Sequence, residues 1–189
     1  FIVYRPYHMK KEVFVQFVDV FKKYCVAHGI NAPYVVTTQA EVFEEMNDNP
    51  QDWGIDVIMK FNIRDRNDLM TLPLNKIDEN TSYVRYDWAD YVYSGKVKKE
   101  ARFKEFLSVF TAWDNSSRKA HNWAWIFDDS TPDVYGTWLE YAIDYTDKHL
   151  KGDEKIVFIN AWNEWCEGAI LEPTKHNKFK YLEWLKDNK

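Results

Sequence analysis

The stretch Lys155-Ile-Val-Phe-Ile-Asn-Ala-Trp-Asn-Glu-Trp-Cys-Glu-Gly168 opens with an apolar, β-branched run, which predicts a buried strand over residues 156–162. The strand ends in a turn that carries Glu164 and Glu167 among large aromatic side chains. If this turn is helical, the two carboxylates share one face, with Cβ atoms roughly 5–6 Å apart. Retaining glycosidases need two carboxyl groups roughly 5–5.5 Å apart. The spacing is therefore compatible with acid/base chemistry on a glycoside.

The alternative interpretation of this pair is an ordinary solvated helix face, where Glu-x-x-Glu is common. Trp162 and Trp165 favour a functional role, because a solvated helix start has no evident need for two large rings. The ends of parallel strands are also where α/β folds place their chemistry. A thiol nucleophile at Cys166 is conceivable, but no suitably spaced histidine accompanies it. We therefore predict Glu164 and Glu167 as the catalytic pair.

Strands and helices alternate along the sequence, which implies βαβ units and a parallel sheet. The predicted strands cover residues 1–4, 34–38, 55–61, 106–113 and 156–162, and the predicted helices cover 11–28, 39–47, 82–93, 131–150 and 178–187. Five strands fit either an open sheet or the later part of a (β/α)₈ barrel, which takes about 250 residues. The sequence begins inside a strand, which favours the second option. We predict one α/β domain over residues 1–189, forming the C-terminal half of a TIM-type barrel.

Composition narrows the class of protein. The chain has 189 residues, of which 46% are hydrophobic and 29% charged, as in soluble globular proteins. A net charge of -5 argues against nucleic acid as a partner. No apolar run approaches the roughly 18 residues of a membrane span. No signal peptide is visible, so we expect a cytoplasmic location. Cys25 is predicted in the core, and the histidines lack metal-ligand spacing, so we expect no metal and no cofactor.

A second group of polar residues follows the predicted strand 106–113. Asp114, Asn115 and Arg118 offer donors and acceptors suited to sugar hydroxyls, and Trp113 offers a ring for stacking. The alternative interpretation is an Asx-type turn followed by a surface arginine. Because the strands are predicted to be parallel, this group is expected at the same end of the sheet as the two glutamates.

These motifs resemble a known family. Val3-Tyr4-Arg5-Pro6, the segment 113–118, and the segment 158–168 followed by Leu171-Glu172-Pro173 resemble the WbsX-type family. Its members are described as glycosyltransferases of bacterial surface-polysaccharide synthesis, of the O-antigen and lipopolysaccharide type. The family is similar to glycoside hydrolase family 99, the endo-α-mannosidases, which are (β/α)₈ barrels. The resemblance runs from residue 1 to about residue 184 and covers the C-terminal half of the family.

The resemblance implies roles for individual residues. Glu164 would deprotonate the 2-hydroxyl of the sugar, which then attacks the anomeric carbon. Glu167 would protonate the leaving-group oxygen and afterwards activate water or an acceptor. Arg5 is interpreted either as a structural cation or as a ligand contact. The implied substrate-binding residues are Tyr4, Arg5, Trp113, Asp114, Asn115, Arg118, Trp162, Asn163, Trp165 and Glu172.

The sequence departs from the family pattern at Cys166, Ser117 and Lys119, and it lacks the N-terminal half of the barrel. Three functions therefore stay open: a glycan-active enzyme, a sugar-binding domain without turnover, and a fragment that completes a barrel. The partner of such a fragment would be the missing half-barrel or a second copy of the chain. No Gly-rich phosphate loop or Asp-x-Asp motif is visible, which favours hydrolysis or transglycosylation over transfer from a sugar nucleotide.

Overall fold

Short strands alternate with helices along the chain. The computed structural model describes residues 1–38, 40–60, 75–76, 82–98, 102–119 and 124–187. It divides into two compact units, the first formed by Phe1–Phe61 and Glu100–Leu107, and the second by Asn62–Lys99 and Ser108–Lys189. The expectation of a single domain over residues 1–189 stays a prediction.

Every strand predicted from the sequence overlaps an observed strand, although the observed strands are shorter. The strands are β1 (Ile2–Val3), β2 (Val36–Thr38), β3 (Val57–Met59), β4 (Asn75–Lys76), β5 (Ser82–Asp87), β6 (Glu105–Phe106), β7 (Ser108–Phe110), β8 (Ala124–Asp128), β9 (Phe158–Asn160), β10 (Asn163–Glu164) and β11 (Ala169–Ile170). The helices are α1 (Lys11–Ala27), α2 (Ala40–Glu45), α3 (Trp88–Tyr93), α4 (Pro132–His149) and α5 (Lys180–Asp187).

The first unit is built on a parallel sheet. Its strands lie in the order β1, β2, β3, β6, with Val36 opposite Val57. Parallel neighbours need crossover connections, which α1 and α2 supply. Cys25 on α1 is buried, as the sequence predicted. The central hydrophobic cluster consists of Phe14, Val18, Val35, Phe43, Trp53, Ile55 and Ile58.

In the second unit, two parallel strands end at the same edge of their sheet. β7 pairs with β9, and Phe110 lies opposite Asn160. The segments that follow these two strands therefore start side by side at one edge. Among the described residues, β5 also pairs in parallel with β8, and β4 pairs antiparallel with β5. The predicted parallel α/β arrangement is confirmed within each unit, whereas a half-barrel stays a prediction.

An aromatic cluster packs against β7 and β8. The ring of Trp88 lies 4.8 Å from that of Phe110, 5.1 Å from that of Phe127 and 4.9 Å from that of Trp138. Trp138 is on α4, whose start is fixed by Thr131, as the sequence predicted: its Oγ1 accepts a hydrogen bond from the backbone N–H of Val134 at 3.3 Å. Many of the rings that make the chain unusually aromatic are thus core residues.

One segment of the sequence was interpreted wrongly. The segment 82–93 was predicted as a helix, but it forms strand β5 followed by the short helix α3. The division falls at Asp87, whose side chain accepts a hydrogen bond from the backbone N–H of Asp90 and caps α3. Strand β8 was not predicted, because its short apolar run offers too weak a periodic signal.

None of the helices in the described ranges combines the length and apolar character that a membrane crossing requires.

The packing of α5 on α4 yields a prediction about Gly136. A glycine in a helix interior normally costs about 0.5–1 kcal/mol relative to alanine. Here a Cβ atom on Gly136 would overlap the indole ring of Trp184. We expect Gly136→Ala to lower the free energy of unfolding by about 1–3 kcal/mol, measured by denaturant titration. In a Trp184→Leu background, the same substitution should raise stability. Stabilisation in both backgrounds would contradict this packing.

Candidate active site

The two glutamates predicted as catalytic lie on one tight turn. β10 and β11 form a hairpin, and a single 3₁₀ turn over Trp165–Glu167 connects them. Glu164 caps this turn, since its Oε1 accepts a hydrogen bond from the backbone N–H of Cys166 at 3.2 Å. The two acids lie near each other, because the charge of Glu164 helps to raise the pKa of Glu167. The expected helical turn is therefore present in its tighter form.

Gly168 ends this turn in the left-handed region, with φ of 66°. Its backbone N–H donates to the carbonyl oxygen of Trp165 at 3.2 Å. A Cβ atom at this position would lie 3.4 Å from the backbone nitrogen of Asp114, which is ordinary van der Waals contact. The left-handed conformation is therefore what favours glycine after Glu167.

The segment 113–118 contacts this turn directly. The backbone N–H of Asp114 donates to the carbonyl oxygen of Glu167 at 2.7 Å. The hydroxyl of Ser117 donates to the carbonyl oxygen of Cys166 at 3.0 Å. Arg118 Nη2 donates to Glu167 Oε1 in an ion pair. Two segments that the sequence placed at the same end of the sheet are thus bound to each other by backbone and side chain.

Strand β8 holds the other side of the same segment. Asn115 is buried, and its Oδ1 accepts a hydrogen bond from the backbone N–H of Trp125 at 2.8 Å, while its own N–H donates to the carbonyl oxygen of Trp125 at 3.2 Å. Asn115 was predicted to bind substrate, but its amide oxygen is engaged in positioning the segment. Asp114 accepts a hydrogen bond from the backbone N–H of Ser116 at 2.9 Å, which is the Asx-type turn of the alternative interpretation.

Glu167 is the more deeply buried of the two acids, with 9% of its surface exposed. Burial raises the pKa of Glu167, and the negative charge of Glu164 raises it further. The guanidinium of Arg118 and the ammonium group of Lys119 oppose this effect but do not cancel it. Glu167 thus keeps its proton to a higher pH than an ordinary glutamate. Such a group is suited to act as a general acid beside a second carboxylate.

Two aromatic rings beside the acids are open to solvent. Trp162 is 53% exposed and Trp165 is 60% exposed. The indole N–H of Trp165 donates to Glu172 Oε1 at 2.9 Å, so Glu172 orients this ring. Trp113, by contrast, is only 5% exposed, so the stacking face predicted for it is turned into the core. The sequence pattern alone does not separate rings that fill the core from rings that meet a ligand.

The remaining predicted site residues fall in different places. Asn163 lies on β10, opposite Ile170, and is exposed. Tyr4 and Arg5 belong to the first unit, where the Arg5 guanidinium lies 4.8 Å from the centre of the Tyr4 ring. Their contribution to a site with Glu164 and Glu167 stays a prediction.

Sequence reasoning missed the contributions of Ser117 and of β8 to this site. Nothing in the sequence links Ser117 to Cys166, because the contact spans 49 positions. Within the described ranges, no three His, Cys, Asp or Glu side chains come together as a metal-ligand set.

The raised pKa of Glu167 predicts a pH-dependent effect on stability. The folded protein binds this proton more tightly than the unfolded chain, whose glutamates have a pKa near 4.5. The wild type should therefore lose stability relative to Glu167→Gln as pH rises from about 4.5 through the folded pKa. Urea unfolding of both proteins between about pH 4 and about pH 8 measures this difference. Glu140→Gln, at an exposed position on α4, is the matched control. Parallel stability curves for wild type and Glu167→Gln would contradict the raised pKa.

Comparisons with known proteins find similarity over nearly the whole chain. Two proteins named Uncharacterized protein WxcX, from Xanthomonas campestris pv. campestris strains B100 and ATCC 33913, are each 26% identical over 183 residues, which is 96% of this chain and 25% of theirs. The chain thus spans about a quarter of the length of these curated relatives. A solved structure named Glycoside hydrolase-like protein matches with a TM-score of 0.50 and 12% identity, covering 99% of this chain and 53% of that chain. That likeness concerns the fold alone.

The family model described as Glycosyltransferase WbsX matches residues 1–185, which is nearly the whole chain. The chain belongs to the glycosyltransferase WbsX family.

Proposed function

We propose that this chain carries the acid/base site of a carbohydrate-active enzyme that cleaves or transfers α-linked sugars of bacterial surface polysaccharides, of the O-antigen type. The observation that carries the proposal is the pairing of a buried Glu167 with Glu164 on one turn. Membership of the WbsX family and the fold likeness to a glycoside hydrolase-like protein support it. The exposed rings of Trp162 and Trp165 supply apolar faces against which sugar rings pack.

In the proposed mechanism, Glu164 takes the proton of the sugar's 2-hydroxyl. The resulting oxygen attacks the anomeric carbon as the glycosidic bond breaks, and Glu167 gives its proton to the departing oxygen. This step leaves an anhydro-sugar and a protonated Glu164. Glu167, now ionised, then takes a proton from water or an acceptor hydroxyl, which opens the anhydro-sugar while Glu164 returns its proton to the 2-oxygen. Protons and bonds balance over the two steps, and both acids end as they began.

We propose further that the chain is the C-terminal half of a (β/α)₈ barrel. The parallel pairing of β1, β2, β3 and β6, and of β7 with β9, supports this architecture. The chain covers 53% of the glycoside hydrolase-like structure, an extent that fits a half-barrel. Under this proposal, the other half would be part of the same polypeptide, a separate chain or a second copy of this one.

A second candidate function is sugar binding without turnover. The exposed Trp162 and Trp165 favour it, because they would bind a glycan whether or not the acids react. In that case Trp165→Ala should weaken glycan binding, while Glu164→Gln and Glu167→Gln leave both binding and the chemical integrity of the glycan unchanged.

Leaving-group dependence tests the role assigned to Glu167. In the complete protein, Glu167→Gln should lower kcat on a cleavable α-linked oligosaccharide by about 10²–10⁴-fold, because the departing alkoxide needs a proton. First-turnover fluoride release from the α-glycosyl fluoride of the same sugar should change far less, since fluoride leaves without protonation. Glu164→Gln should slow both reactions.

Glu140→Gln is the control for these assays, because it removes an exposed glutamate of the same unit. Oligosaccharide turnover at the wild-type rate in Glu167→Gln would disprove the acid assignment. Equal losses on both substrates for Glu167→Gln would also contradict it, since they would indicate a role other than protonation.

A further inference from the structure

Arg118 contacts the carboxyl group of Glu167 from a segment whose backbone is itself fixed. It is the last residue of a 3₁₀ turn over Ser116–Arg118, and its backbone N–H donates to the carbonyl oxygen of Asn115 at 3.3 Å. Asn115 is anchored to β8, and Ser117 is bound to Cys166 in the opposing turn. The backbone that carries Arg118 is therefore anchored both to β8 and to the turn that contains Glu167.

The contact distinguishes the two oxygens of Glu167. Arg118 Nη2 donates to Oε1. A guanidinium is always a donor and never an acceptor, so Oε1 is the acceptor in this pair. The carbonyl oxygen of a protonated carboxyl group accepts a hydrogen bond better than its hydroxyl oxygen does. When Glu167 is in its acid form, Arg118 therefore favours the proton on Oε2.

The groups around Glu167 act on it with opposite signs. Glu164, which precedes its turn, contributes a negative charge, and the segment packed against it contributes the positive charges of Arg118 and Lys119. Asp114 on that segment carries an exposed carboxylate. Glu172 is engaged with Trp165. The carboxyl group of Glu167 is nearly enclosed, whereas the side chain of Arg118 is half exposed. The contact is thus a charged pair in which only the cation keeps substantial access to water.

We propose that Arg118 is a positioning residue that fixes Oε1 of Glu167 and leaves Oε2 as the oxygen that exchanges a proton with the glycosidic oxygen and with the incoming water or acceptor. This inference rests on the proposed function. In the first step the Oε2–H bond breaks and the proton passes to the departing oxygen. In the second, a proton from water or acceptor returns to Oε2. Arg118 keeps its own protons throughout and stabilises the ionised intermediate form of Glu167.

Removal of the Arg118 cation should raise the pKa of Glu167. Without Arg118, burial and Glu164 act on Glu167 with less opposition, so Glu167 should hold its proton to a higher pH. Arg118→Gln should also free the carboxyl group to rotate. We expect kcat/KM near neutral pH to fall by roughly ten- to hundredfold. Arg118→Lys keeps the charge but not the planar fork, so its titration should stay close to wild type while its rate recovers only in part.

Carbon NMR of the complete protein, labelled with ¹³C at glutamate carboxyl groups, measures the titration of Glu167 directly. The signal is assigned by its absence in Glu167→Gln. The expected result is a midpoint that rises in Arg118→Gln and returns toward wild type in Arg118→Lys. The alkaline limb of the pH profile of kcat/KM should move in the same direction. Lys155→Gln is the control, because Lys155 pairs with Asp147 outside the site, before β9.

An unchanged midpoint in Arg118→Gln would overturn the inference, as would an equal shift in Lys155→Gln. A raised midpoint with an unmoved alkaline limb would overturn the assignment of Oε2 to proton transfer. The NMR titration needs no turnover, so failure of the proposed function is recognised separately. Wild-type protein that cleaves no α-glycoside would contradict the function, whatever the midpoint shows.

Discussion

The candidate site depends on the binding of the segment 113–118 to the turn that follows β9. One backbone hydrogen bond joins Asp114 to the carbonyl oxygen of Glu167, and one ion pair joins Arg118 to its carboxyl group. β7 and β9 are parallel, and their last residues lie opposite each other. The two segments that follow them therefore meet without a long connection. This contact buries an acid that would otherwise stand on an exposed turn, and burial is the largest influence on its pKa.

The same contact accounts for the contrast between the two glutamates. Glu164 caps the turn and stays partly open, whereas Glu167 is enclosed and lies against a cation. A general acid gives up a proton and takes one back in each catalytic cycle. It works best when neither its protonated form nor its ionised form is strongly favoured. Burial and Glu164 favour the protonated form of Glu167, while Arg118 and Lys119 favour the ionised form. Groups from two separate segments therefore act in opposite directions on the pKa of Glu167.

The sequence predicted that both segments lie at one end of the sheet, because each follows a recognisable apolar strand. The catalytic roles of Glu164 and Glu167 stay a prediction. The sequence also predicted α4, whose proline and threonine cap give a strong local signal. It did not predict β8, whose short apolar run could equally be part of a buried helix. Two further features were not predicted: the inward orientation of Trp113 and the pairing of Arg118 with Glu167. Those depend on contacts between distant positions, which a single sequence does not encode locally.

A crystal structure of the complete protein with an uncleaved α-glycoside bound would test the central claim most directly. The account predicts the glycosidic oxygen within about 3 Å of Glu167 Oε2, with Arg118 still on Oε1. It also predicts Glu164 at the sugar's 2-hydroxyl and a sugar ring against Trp162 or Trp165. A glycoside bound elsewhere, or one reaching neither Glu164 nor Glu167, would contradict the account.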